Sequence, residues 1–205
     1  SQPLGFALPW YEHLASVSGA SPLVVVAYDA QDRPALVLHL AIIKRGPARL
    51  AMFAGGKHSN LNLPLMRPGF SLTPQDAHDL LVSAARSCAT PIDCFLLLNQ
   101  PAQWNGAVNP FAALDATPRP SFAYGPTIGP DAEAFLKRID SAATRKKLRA
   151  KERKLAEIGP LTYERALDVE RARTILEAFV DQKTLRFRQK NRDPGFAHVA
   201  VRAFL

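Results

Sequence analysis

Residues 23–53 read LVVVAYDAQDRPALVLHLAIIKRGPARLAMF, and this stretch decides the fold. It holds three apolar runs, Leu23–Tyr28, Ala35–Ile43 and Arg49–Phe53. Asp29–Pro34 separates the first two, and Arg45-Gly46-Pro47 separates the last two. Those connections carry turn residues and are too short for a crossover helix, so the runs predict an antiparallel meander. A helix is expected before it, from Trp10 to Ser18. After it, Thr73 and Asp76 frame a helix with Pro74 at its first position. Ala77, Leu80, Leu81, Ala84, Ala85 and Cys88 form the apolar face of that helix. A strand is expected at Ile92–Leu98, a long irregular segment from Asn99 to Pro120, and another strand at Ser121–Ile128.

The character of the chain changes after Gly129-Pro130. Helices are expected at Asp131–Asp140 and Ser141–Ile158, the second stopped by Gly159-Pro160. A strand at Leu161–Ala166 and a long helix capped by Asp168 follow. The core face of that helix would be Val169, Ala172, Leu176, Phe179 and Val180. The fold class is α/β (α+β): a mixed, mainly antiparallel sheet flanked by helices, then a mostly helical second part. The domains expected are 1–128 and 129–205. The apolar ending Ala203-Phe204-Leu205 suggests a fragment of something longer.

Composition narrows the function. The 205 residues are 47% hydrophobic and 21% charged, as in globular domains. No apolar run approaches the ~20 residues of a membrane span, and no secretory signal pattern opens the chain. Cys88 and Cys94 do not read as a disulfide pair and fit a reducing compartment, so a cytoplasmic location is expected. His13, His39, His58, His78 and His198 are scattered, so no metal site is expected. The net charge is +8, from 26 basic and 18 acidic residues. Most of it lies between Lys137 and Lys154, where nine basic residues face only Asp140 and Glu152.

Several motifs resemble one family. They are Gly55-Gly56-Lys57-His58-Ser59-Asn60 with Asn62 and Pro64, Asn99-Gln100-Pro101, Trp104-Asn105-Gly106, Asn109-Pro110, Thr144–Arg149 and Lys151–Glu157. With Gln182-Lys183 and Arg186-Phe187, they resemble the CelD/BcsL-like branch of GNAT acyltransferases, associated with cellulose and exopolysaccharide biosynthesis. The resemblance implies a tandem of two GNAT halves, of which this chain holds the first and part of the second. It also implies an acyltransferase using acetyl-CoA or another acyl-CoA on a saccharide-type or small-molecule acceptor. The GNAT pyrophosphate turn, Arg/Gln-x-x-Gly-x-Gly/Ala, is not matched after the third strand. Its one formal match, Arg192–Ala197, follows a charged helical stretch.

Two readings stand side by side at each motif. Lys57, Ser59, Asn60 and Asn62 would line an acceptor pocket with His58 as general base, or form a polar turn bonded to itself. Asn99, Gln100, Trp104 and Asn105 would offer an amide-lined surface with a stacking ring, or satisfy a long loop. Arg145, Lys146, Arg149 and Arg153, with Lys183 and Arg186, would hold the phosphates of a cofactor or another anion, or the basic helix would be solvated. No nucleophile motif is present, which suits direct acyl transfer. A non-catalytic GNAT-like module is the alternative function. A nucleic-acid binder is the weaker one, because no aromatic interrupts the basic run between Phe135 and Tyr163. A homo-oligomer is compatible with all three.

Overall fold

The structure, a computed structural model, describes residues 4–118, 125, 127, 129–193 and 195–205, without the side chains of Leu4, Lys57 and Ala197. The strand expected at Ser121–Ile128 lies largely outside the described residues. The chain divides into two units, one made of 1–120 with 179–205 and the other of 121–178.

The first unit is built on the meander. It opens with α1 (Leu4–Trp10), which continues as a π turn over Tyr11–Ala15 and a 3₁₀ turn over Ser16–Ser18. The helix thus starts before Pro9, where a later start at Trp10 was expected. Proline has no N–H and crowds the carbonyl four residues back, and the wider turn follows directly after it. Strands β1 (Ala20–Tyr28), β2 (Pro34–Arg45) and β3 (Ala48–Phe53) pair antiparallel as the turn residues require. β4 (Leu65–Met66) pairs with β2, α2 (Pro74–Ser87) follows, and β5 (Cys94–Phe95) runs parallel to β3. The sheet is therefore mixed and dominated by antiparallel pairing, in the order β1-β2-β3-β5.

Both faces of the sheet are covered, as alternation along β2 demands. Leu36, Leu38 and Leu40 meet Ala77 and Leu81 of α2 together with Phe111. Ala41 meets Trp10, Leu14 and Ala15, and Val201 and Phe204 pack against that second cluster. Thr73 caps α2 in a reciprocal box with Asp76, whose carboxyl the Thr73 hydroxyl holds below its ordinary pKa.

The segment after β5 is less irregular than expected. β6 (Gln103–Trp104) and β7 (Ala107–Val108) form a hairpin, followed by a 3₁₀ turn at Pro110–Ala113. The expected strand at Ile92–Leu98 has only two ladder residues.

The second unit holds α3 (Ala132–Ile139), α4 (Ala142–Ala156) and the first half of α5 (Val169–Gln189). Ser141 caps α4 through the Thr144 N–H at 3.2 Å. No strand forms at Leu161–Ala166, because no ladder partner faces it among the described residues. On α5, Val180 is buried whereas Val169 and Phe179 of the expected face are exposed. α6 (Val199–Phe204) belongs to the first unit.

Candidate functional site

The loop after β3 is shaped by two glycines. Gly55 has φ 114°, and a Cβ there would stand 2.8 Å from the Ser59 Cβ and 3.1 Å from the Phe6 ring. Gly56 follows at φ 47°. The next turn spends its own amides: the His58 N–H donates to the Gly55 carbonyl at 2.8 Å, and the Ser59 N–H to that of Gly56 at 3.4 Å.

A clasp then joins this loop to the segment after β5. The Ser59 hydroxyl donates to Asn62 Oδ1 at 2.7 Å, and Asn62 Nδ2 donates to the Leu98 carbonyl at 2.9 Å. The Asn62 N–H reaches the Asn99 carbonyl at 2.9 Å, and Asn99 Nδ2 returns to the Ser59 carbonyl at 3.3 Å. Ser59 and Asn62 are buried, so these bonds meet groups that water no longer serves.

A second clasp closes the next loop. Gln100 Nε2 donates to the Leu97 carbonyl at 3.0 Å, while its Oε1 accepts from Asn109 Nδ2 at 3.1 Å. Buried Asn109 also bonds the Pro101 carbonyl and accepts from the Phe111 N–H. Between Gln100 and Asn109, Asn105 and Gly106 both have positive φ and turn the β6–β7 hairpin. Asn-Gly is the residue pair that such a turn favours, so the hairpin has a signal in the sequence.

Thus Ser59, Asn62, Asn99 and Gln100 are brought together, with their side-chain amides and hydroxyl bonded to the chain itself. His58, Asn60, Trp104 and Asn105 are exposed. The His58 ring lies 6.0 Å from that of Phe204, which meets Phe6 edge to face at 5.3 Å. The side chain of Lys57 lies outside the described residues.

The cations fall into the two units. Arg145 donates to the Asp140 carbonyl, while Lys146, Arg149 and Arg153 are exposed. No ion pair engages an α4 cation among the described residues. Lys183 and Arg186 stand on the part of α5 in the first unit, Lys183 with its ammonium 5.4 Å over the Phe179 ring. A half-open cavity of about 410 Å³ lies nearby, lined by Asp181, Thr184, Leu185, Arg188 and Arg202. Arg202 reaches Asp181 at 3.2 Å across it. Arg188 and Arg202 lie outside the expected site residues, and their distance along the chain carries no signal that joins them.

Tyr11, His39 and Asp29 have shifted titrations as well. Burial pushes the Tyr11 phenol well above its ordinary range, and its hydroxyl donates to the Leu40 carbonyl at 2.7 Å. Burial likewise lowers His39, whose ring lies 5.5 Å from Phe53. The Arg33 N–H holds Asp29 far below the ordinary carboxyl range, helped by the Arg33 and Arg67 guanidiniums.

A CoA pyrophosphate is best met by main-chain N–H groups at an open turn or helix start. At Gly55–Ser59 the N–H groups of His58 and Ser59 are spent within the turn, and Phe6 and Ser59 fill the space that Gly55 leaves. Around Gly195 the space is open, but Pro194 lies outside the described residues. The described residues therefore offer exposed cationic side chains without a complete main-chain cradle. No cluster of three or more potential metal ligands occurs among the described residues. No described helix is long and apolar enough to cross a membrane.

Residues 142–205 match the family model of an acetyltransferase (GNAT) domain. That match supports acetyl or acyl transfer in general, a chemistry that GNAT domains generally run with acetyl-CoA or another acyl-CoA, and the mixed sheet is consistent with a GNAT-like fold. No curated protein and no solved structure matches the chain.

Proposed function

We propose that this chain is part of an acyl-CoA-dependent N- or O-acyltransferase acting on a polysaccharide precursor or related metabolite in the cytoplasm. The observation that carries the reading is the match of residues 142–205 to an acetyltransferase (GNAT) domain. In this reading residues 1–128 and 129–205 are a first GNAT half and the start of a second. His58, exposed beside the glycine turn, is the candidate general base. Asn60, Trp104 and Asn105 face the acceptor, while Ser59, Asn62, Asn99 and Gln100 hold the two loops in place. Arg145, Lys146, Arg149 and Arg153 are candidates for the cofactor phosphates, as are Lys183 and Arg186.

A second reading, a module that binds an anionic ligand without catalysis, draws support from the clasps, which use most of the motif amides internally. Calorimetric titration with acetyl-CoA, with free CoA as control, separates the two. Saturable micromolar binding that weakens at least tenfold in an Arg145→Ala, Arg149→Ala, Arg153→Ala variant is the expected result. Absence of binding by the folded chain would overturn a cofactor site in these residues and leave the second reading. Unchanged affinity in the variant would remove the three arginines from the site.

A further inference from the structure

The sequence of α4 arranges charge around an apolar seam. Leu148 and Leu155 stand seven residues apart, on one helical face. Both are about half exposed. Spacings of three and four put Arg145, Arg149 and Arg153 along one flank of the seam, and Lys147, Lys151 and Lys154 along the other. A solvated helix of this charge gains support from i, i+4 ion pairs. Here no carboxylate pairs with any of these six cations among the described residues.

The segment that follows exposes apolar side chains. Ile158 is 85% exposed and Leu167 92%, Leu161 is half exposed, and Tyr163 is fully exposed. Glu164, within this segment, is neutralised by a two-bond pair with Arg171, both bonds 2.5 Å long. The pair ties the segment to the start of α5. An exposed apolar group of this kind, next to unpaired cations, marks an interaction surface.

We propose that α4 and residues 157–168 bind the surface of an anionic phospholipid bilayer. A bilayer uses both features in the order in which the chain presents them. Arginine and lysine meet lipid phosphates and carboxylates while their stems cover the edge of the seam. Leucine and isoleucine reach the acyl boundary, and the phenol of Tyr163 suits the interface between them. A nucleic acid would use the cations but leave the leucines without a role, and no base-stacking ring interrupts the basic run. The attachment is peripheral and does not depend on acyl transfer.

The test is co-sedimentation of the 205-residue chain with vesicles of phosphatidylcholine alone or with about 30% phosphatidylserine. Binding to the anionic vesicles alone, weakened as salt rises, is expected. The variant Lys147→Ala, Lys151→Ala, Lys154→Ala spares the residues assigned to the cofactor. It should bind roughly a hundredfold more weakly, at about fivefold for each cation lost. Leu161→Ser with Tyr163→Ser should also weaken binding, with the helical circular dichroism unchanged. Equal binding to both vesicles, no binding by a folded chain, or an unaffected lysine variant would overturn the proposal. So would a single-stranded RNA that binds the chain and displaces it from vesicles while the variant Leu161→Ser, Tyr163→Ser binds anionic vesicles normally.

Discussion

At Gly55 backbone conformation and packing together fix the residue type. Its φ of 114° is open to glycine and strained for other residues, and the Ser59 Cβ and the Phe6 ring close the space from the side. Gly55→Ala should cost about 2–4 kcal/mol, read from urea unfolding. A loss below about 1 kcal/mol would show that the loop relaxes and that its shape is not held this way. His39 sets a different expectation. Burial lowers its pKa, so as pH falls the unfolded chain takes the proton first, near its ordinary value of about 6.5. The contribution of His39 is present above that pH and is lost below it. Urea midpoints should fall between pH 7.5 and 5.5, and His39→Leu should flatten that part of the slope. An identical slope in the variant would assign the pH dependence to other groups. At this scale the sequence was ambiguous. Asn62 and Asn109 are polar loop residues in any reading, and only the fold brings Leu98 or Pro101 to them.

Elements were legible where local chemistry and long-range packing agree. The meander has turn residues at Asp29–Pro34 and Arg45–Pro47, and Asp29 adds bonds to Arg33 and Arg67 that hold the first turn. α2 has its capping box and its apolar face in adjacent residues. The first helix starts earlier than the expected Trp10, because the chain carries Pro9 inside a helix and widens the next turn. Leu161–Ala166 alternates like a strand, but alternation without a partner strand leaves its backbone bonds unmade. The β6–β7 hairpin was missed because two-residue strands are too short to show a period, although the Asn-Gly turn was readable.

On the scale of the molecule the two units differ in what holds them. The first has a sheet covered on both faces. In the second no described residue is buried, so its helices rest on local bonds and caps. Hydrogen exchange should therefore be faster for the amides of 132–178 than for those of 34–53. Equal protection would mean that the second unit is stabilised by more than its own side chains. The first unit is also discontinuous in sequence, since 179–205 folds with 1–120. A ribosome delivers a chain in one direction, at about 5–20 residues per second. The stretch 121–178 then occupies roughly 3–12 s of synthesis before Val201 and Phe204 emerge to join Trp10 and Ala41. During that interval the cluster of Trp10, Leu14 and Ala41 lacks its last covering side chains, and it is then that a chaperone or a mispaired neighbour would find it.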